Sequence, residues 1–240
     1  MTIFAELRDA RWFTLVDLNW GFWNVRLAED SKKYTGFVVP GRGVFVWNVL
    51  PFGLKVSPTV FQRAIEMALR PLIDQGRAYV YVDDIVIPST TAIQHLIDLR
   101  DVFQALRDSG FYINFAKMKL MQLEVLLLGH VVSYNQLKPD PAKIQGLLDA
   151  QHPRTKEELH SVLASASYLR TYIPFFADIV EPMNRLLAKN VRFVWTLECE
   201  ECFEELRKHL MNAVTLTMPD FSKPFIIFTD ASSVAVGAAL

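Results

Sequence analysis

Residues 78–89 read AYVYVDDIVIPS and place two adjacent carboxylates, Asp83 and Asp84, between two runs that want burial. Tyr79, Val80, Tyr81 and Val82 lead in, and Ile85, Val86 and Ile87 lead out. β-Branched and aromatic residues in runs this short predict strands, with a hairpin turn at the two acids. A tight two-residue turn favours Asn-Gly or Asp-Gly, because its residues sit at positive φ. Asp-Asp supplies no glycine and sets two like charges side by side. Such a turn asks for a compensating cation.

A third ligand should then come from a neighbouring strand. Asp17, in RWFTLVDLNWGFW (11–23), is the best candidate: it follows an apolar strand, and a strand-and-helix unit separates it from the acidic hairpin. A mixed sheet can set the two strands side by side. Three clustered carboxylates in a half-buried site do not all stay ionised without a cation. Two Mg²⁺ ions on such oxygens would activate an attacking hydroxyl and stabilise a leaving phosphate oxygen. Taken singly, an Asp at a strand end is ordinarily a cap or turn residue. Spacing alone leaves the function open.

The 240-residue chain has room for one large domain or two small ones. With 51% hydrophobic residues and 17 Phe it can build a substantial core, which argues against disorder. The most apolar stretch, FYINFAKMKLMQLEVLLLGHVV (111–132), carries Lys117, Lys119 and Glu124, so no membrane span is expected. The early acids of MTIFAELRDARWF give no secretory signal core. Net charge is −1, but residues 138–192 hold eight Lys/Arg against six Asp/Glu, and 193–240 hold three against seven. A nucleic-acid grip must be local, most plausibly in the 138–192 segment. Cys199 and Cys202 form a C-x-x-C without a second ligand pair, and their glutamate neighbours disfavour thiolate.

Along the chain, 11–18, 43–50, 79–87 and 123–133 read as strands. SPTVFQRAIEMALRPL (57–72) reads as a helix with Ser57 as N-cap, Pro58 at the first helical position, and a stripe of Phe61, Ile65, Leu69 and Leu72. A second helix spans about 91–109. After QLKPDPAK (136–143) three helices are expected, near 140–150, 155–171 and 177–189, punctuated by prolines. A helix at about 197–212 and a strand at 223–232 follow. A strand with no partner after it points to truncation.

Several of these blocks resemble those of reverse transcriptases. YVDDIVIPS resembles their Y-x-D-D box, and FTLVDLNWGFWNVRL the first catalytic-aspartate segment of gypsy-type LTR retrotransposons. LPFGLKVSPTVFQRAIEMAL resembles the L-P-F-G…F-Q block between them, and LLLGHVVSYNQLKPDPAKI the later L-G-H-x-V-S segment. YLRTYIPFFADIVEPMNRLLAK is thumb-like. FVWTLECEECFEELRKHL and DFSKPFIIFTDAS resemble the connection and the first RNase H strand. The match runs in family order over essentially the whole chain. It implies an α+β fold: a right-hand palm with partial fingers (1–137), a helical thumb (138–190), a connection (191–222) and an incomplete RNase H-like start (223–240).

By this resemblance Asp17, Asp83 and Asp84 bind two catalytic Mg²⁺ ions, with Mn²⁺ as a substitute. Phe22 closes the sugar pocket against a ribose 2′-OH; its plain alternative is a core aromatic. Phe52 and Gly53 face the nascent base pair, where glycine lets backbone approach the ligand. Gln62 lies near template and primer. Lys117 resembles a proton donor to pyrophosphate, or else is simply a solvated lysine. Leu128, Gly129 and His130 hold the primer strand. Lys55 stands where gypsy elements often carry an uncharged residue. The implied partners are an RNA or DNA template with primer, a deoxynucleoside triphosphate, and the rest of a Pol polyprotein (protease, RNase H, integrase). The implied setting is intracellular: cytoplasm, virus-like particle or nucleus.

Two departures stand beside the matches. With 16 residues before Asp17, the basic fingers residues that hold the triphosphate are expected to be missing, and polymerisation by this chain to be weak or absent. Asp230 matches the first RNase H acid, but one carboxylate cannot assemble a two-metal nuclease. Two other readings compete: a non-catalytic remnant or co-opted fold that binds nucleic acid or protein, and an RNA-synthesising palm enzyme. Phe22 and the LPFG…FQ block count against the latter.

Overall fold

The computed structural model describes residues 2–231 and 236–239. The chain divides into two compact units, Met1–Val125 and Leu126–Leu240. The first runs α1 (Thr2–Glu6), β1 (Trp12–Val16), α2 (Glu29–Lys32), β2 (Phe37–Val39), β3 (Gly43–Phe45), α3 (Ser57–Ile73), β4 (Tyr79–Tyr81), β5 (Asp84–Ser89), α4 (Ala92–Asp108) and β6 (Lys119–Gln122). β7 (Glu124–Leu127) reaches across the division. The second unit holds β8 (His130–Ser133), β9 (Gln136–Pro139), α5 (Pro141–Leu148), α6 (Lys156–Tyr168), α7 (Phe176–Leu186), α8 (Leu197–Met211), β10 (Leu216–Thr217), β11 (Phe228–Ala231) and β12 (Val236–Ala239).

The sheet of the first unit has the order β4-β5-β1-β6. Alternation along β1 and β5 sends Val16, Ile85 and Ile87 into one core with Phe61, Ile65 and Leu69 of α3 and Leu99, Val102 and Leu106 of α4. The stripe expected on α3 is fully formed. Its start is not as expected: Val56 precedes the helix with no side-chain cap, and Ser57 is already helical. The buried Ser57 hydroxyl donates instead to the Pro51 carbonyl at 2.7 Å, pinning the Leu50–Phe52 turn to the helix. α4 begins at a true cap, Thr91, whose Oγ1 accepts the Gln94 N–H, and ends before Gly110 at φ +78.

Strand limits also differ from the reading of the sequence. The 43–50 strand shrinks to Gly43–Phe45, paired only with Phe37–Val39. Of the expected 223–232 strand, residues 223–227 are not strand, Phe228–Ala231 are, and residue 232 lies outside the described residues. β2, β6, β9 and β10, which are short and lack clean alternation, fall outside the strands expected from the sequence. The hairpin pairs Tyr81 with Asp84, so its turn residues are Val82 and Asp83 rather than the two acids. Asp84 is the first residue of β5.

In the second unit α5 to α8 close on one core that includes Leu159, Leu163, Tyr172, Met183, Phe203 and Leu206. Cys199 is buried in it, and burial followed by Glu198 and Glu205 raises the Cys202 thiol above its ordinary pKa. β11 and β12 pair Asp230 with Gly237 through the backbone; the Asp230 side chain lies outside the described part of the structure. Among the described residues no helix is long and apolar enough to cross a membrane.

Candidate active site

Asp17 lies one residue beyond β1. β1 runs antiparallel to β5 from Trp12↔Ser89 to Val16↔Ile85, so the next step of that register sets Asp17 opposite Asp84. The Asp17 carbonyl accepts the Asn114 N–H at 2.9 Å, and Lys117 Nζ stands 3.9 Å from Asp17 Oδ2. The loop after Asp17 comes up against the acidic hairpin. A Cβ at Gly21 would sit 3.9 Å from Asp83 Oδ1.

Asp83 and Asp84 reach solvent at the surface, and Asp17 is half-buried. Even so, the protein beneath Asp84 withdraws enough water to raise its carboxyl above the usual carboxylate range, and the charges of Asp83 and then Asp17 raise it further. The three acids therefore act on one region. They are not already drawn into a tight cluster: among the described residues no group of three or more His, Cys, Asp or Glu side chains is gathered closely enough to hold an ion. The donors are carboxylate oxygens alone, which suits a hard divalent cation such as Mg²⁺.

The turn between the acids and β4 is strained. Val82 has φ +52, a conformation β-branched residues rarely adopt. Gln62 of α3 holds it there: its Oε1 accepts the Val82 N–H, and its Nε2 donates to the Val80 carbonyl at 3.1 Å and to Glu66 Oε1 at 2.7 Å. The Gln62 carboxamide, expected beside template and primer, is thus committed to the hairpin backbone. Sequence gave no sign of this, because the turn was placed one residue too late.

Phe22 is nearly buried, in a short helical turn (Gly21–Asn24), with its ring 5.0 Å from Phe61 and 4.9 Å from Phe52. Phe52 itself is exposed, and Gly53 follows at φ +87 with open space where a side chain would stand. Lys55 is exposed. The Phe22 ring therefore packs as a core aromatic between Phe61 and Phe52.

Leu128, Gly129 and His130 lie together in the second unit. Leu128 and Gly129 take φ +49 and +70 between β7 and β8. The Tyr168 hydroxyl donates to the Leu128 carbonyl, and Lys143 Nζ lies 3.4 Å above the Tyr168 ring centre. His130 stacks on Tyr168 at 5.3 Å and lies 2.7 Å from the Tyr172 hydroxyl. Burial, then Lys143, lowers the His130 imidazole, and burial raises the Tyr172 phenol, so both stay neutral near pH 7. Lys143 and Tyr168 went unnoticed in the sequence; each is distant from the turn it supports.

An antiparallel sheet backed by two helices, with acids at a strand end and on the adjoining hairpin, is the palm of a nucleic-acid polymerase. The model of the reverse transcriptase (RNA-dependent DNA polymerase) family matches residues 2–132, and the chain belongs to that family. A second model, the RNase H-like domain found in reverse transcriptase, matches residues 195–240. The chain is 35% identical over 239 residues to the retrovirus-related Pol polyprotein from transposon 297 of Drosophila melanogaster, covering 99% of this chain and 22% of that one. It is 32% identical to the Tf2-7 transposon polyprotein of Schizosaccharomyces pombe, covering 99% and 18%. It thus spans about a fifth of the length of these relatives. Among solved structures, the foamy viral protease-reverse transcriptase dRH in complex with double-stranded DNA superposes with TM-score 0.87 at 29% identity, over 96% of this chain and 40% of that one. The same viral enzyme with an RNA/DNA hybrid gives 0.82 at 26%, over 98% and 34%.

Proposed function

We propose that this chain is the polymerase portion of a retrotransposon Pol polyprotein and catalyses RNA-directed DNA synthesis. The observation that carries the reading is the strand register that sets Asp17 opposite Asp84, with Asp83 on the adjoining turn beside the loop that presents Phe22. Asp17, Asp83 and Asp84 would hold two Mg²⁺ ions, or Mn²⁺ in their place. Such ions supply an activated primer 3′-hydroxyl and charge stabilisation at the departing pyrophosphate. Phe22 walls the sugar pocket and rejects a 2′-OH. Phe52 and Gly53 meet the nascent base pair. Lys117, 3.9 Å from Asp17 Oδ2, would give a proton to the leaving group. Gln62 holds the acidic hairpin in shape. Leu128, Gly129 and His130, stiffened by Tyr168 and Tyr172, grip the primer strand.

Template, primer and deoxynucleoside triphosphate are the substrates, and the protease, RNase H and integrase of the polyprotein are the partners, in the cytoplasm, a virus-like particle or the nucleus. A second reading, a nucleic-acid-binding fold without chemistry, draws on the Lys143–Tyr168 pair at the Leu128–His130 turn, which needs no metal. Primer extension on an RNA template with Mg²⁺ separates the two. Nucleotide addition that disappears in Asp83→Asn and Asp84→Asn supports the first. Salt-dependent primer–template binding without addition supports the second.

A further inference from the structure

Six polar or charged residues are classed as buried among the described residues, and four of them, Thr14, Ser89, His95 and Asp98, form one hydrogen-bonded chain. None belongs to the site above. The Met121 N–H on β6 donates to Thr14 Oγ1 on β1 at 3.1 Å. Thr14 Oγ1 lies 2.7 Å from His95 Nε2, and His95 Nδ1 lies 2.9 Å from Ser89 Oγ on β5. Ser89 Oγ donates to Asp98 Oδ2 at 2.6 Å, and Asp98 Oδ1 accepts from Arg77 Nε at 2.5 Å and Gln94 Nε2 at 2.9 Å.

The proton directions follow from counting donors. The Ser89 hydrogen is used on Asp98, so Ser89 accepts from Nδ1–H, and Nε2 accepts the Thr14 hydroxyl. One neutral imidazole on α4 therefore bridges the two strands that carry Asp17 and Asp84. It does so from behind: Thr14 and Ser89 share the face of Val16 and Ile85, whereas Asp17 and Asp84 fall on the opposite face.

Apolar packing alone underdetermines the pairing of these strands. A slip of one residue would turn a whole strand over and is excluded by burial. A slip of two keeps every side chain on its own face and sets Val16 among the same isoleucines and leucines. It would nevertheless carry Asp17 about 7 Å along Asp84's strand. A slip that sets Thr14 opposite Ile85 parts the two hydroxyls beyond the reach of one ring, and a slip that sets it opposite Ser89 carries Thr14 about 7 Å from the place where His95 Nε2, tied to Ser89 through Nδ1, now meets it. We propose that His95 is a positioning residue that locks β1 onto β5 in the register that brings Asp17 opposite Asp84. Its consequence for metal binding rests on the function proposed above; its effect on register does not.

The test uses the whole chain with His95→Phe, which fills similar space without the bridge, and His95→Gln, which keeps one donor and one acceptor. Thr14→Val, which breaks one end only, serves if His95→Phe does not fold. Register is read from cross-strand amide contacts between Val16 and Ile85 by nuclear magnetic resonance, and Mn²⁺ affinity from the free-ion electron paramagnetic resonance signal. The bridge-breaking variant should lose or double the Val16–Ile85 contact and bind Mn²⁺ about tenfold more weakly, with His95→Gln close to wild type. A folded bridge-breaking variant with the wild-type contact overturns the proposal. A changed contact with unaltered Mn²⁺ binding, or a wild-type chain that binds no Mn²⁺, leaves the lock standing and rejects the metal-site reading instead.

Discussion

Gln62 Oε1 accepts the backbone N–H of Val82, and through that bond a helix residue holds the strained tip of the acidic hairpin. The same carboxamide donates to the Val80 carbonyl, so both sides of the turn are fixed to α3. Gln62→Ala should cost about 1–3 kcal/mol in urea unfolding, because it removes three hydrogen bonds and leaves the Val82 N–H and Val80 carbonyl without this partner. A loss below about 0.5 kcal/mol would mean that these bonds contribute little.

Gly129 is the second position where backbone shape and side-chain space coincide. It sits at φ +70, and a Cβ there would come 2.7 Å from the Tyr168 hydroxyl and 2.5 Å from Lys143 Nζ. The lysine tip can swing away; the tyrosine hydroxyl is held on the Leu128 carbonyl. Gly129→Ala should destabilise the second unit by more than about 1 kcal/mol, measured by denaturant unfolding. It should also weaken primer–template binding if the turn grips the primer.

Burial lowers the pKa of His95, with Asp98 opposing in part. The unfolded chain then binds the proton more readily than the folded one. Stability from this residue is complete above the unfolded value of about 6.5 and is lost as pH falls toward the lowered folded value. Thr14 and Ser89 face the ring as neutral partners, and Asp98, itself paired with Arg77, is the nearest charge. His130 carries a shift of the same sign in the second unit. Unfolding free energy should therefore decline from pH 7 to pH 5, and His95→Gln should flatten part of that decline. A slope unchanged in His95→Gln would place the whole effect elsewhere.

Much of this architecture could be read from the sequence. Strong stripes such as Phe61, Ile65, Leu69 and Leu72 left one choice of face, and the helices of the second unit were found within a few residues of their ends. Short strands were harder. Gly43–Phe45 ends early because its only neighbour is three residues long, and β6 has no alternation to detect. The site was legible where side-chain chemistry is local, as in Asp83 and Asp84. It was illegible where function depends on backbone dihedrals or remote partners. Nothing near Tyr81–Asp84 marks Val82 as the strained turn residue, and nothing near Leu128 foretells Tyr168.

Phe22 offers a test of substrate choice. Its ring packs on Phe61 and Phe52, so Phe22→Val opens space beside the site as well as weakening the core. Incorporation of ribonucleotides relative to deoxynucleotides should rise by roughly tenfold or more in single-nucleotide extension. An unchanged ratio would make Phe22 a core residue and no gate.

The central claim is that Asp17, Asp83 and Asp84 take up divalent metal together. Paramagnetic broadening of backbone amides by Mn²⁺ tests it directly, without requiring catalysis. Broadening should centre on residues 17, 83 and 84, and each single Asp→Asn variant should bind about tenfold or more weakly. Broadening centred elsewhere, or binding indifferent to Asp17→Asn, would contradict it.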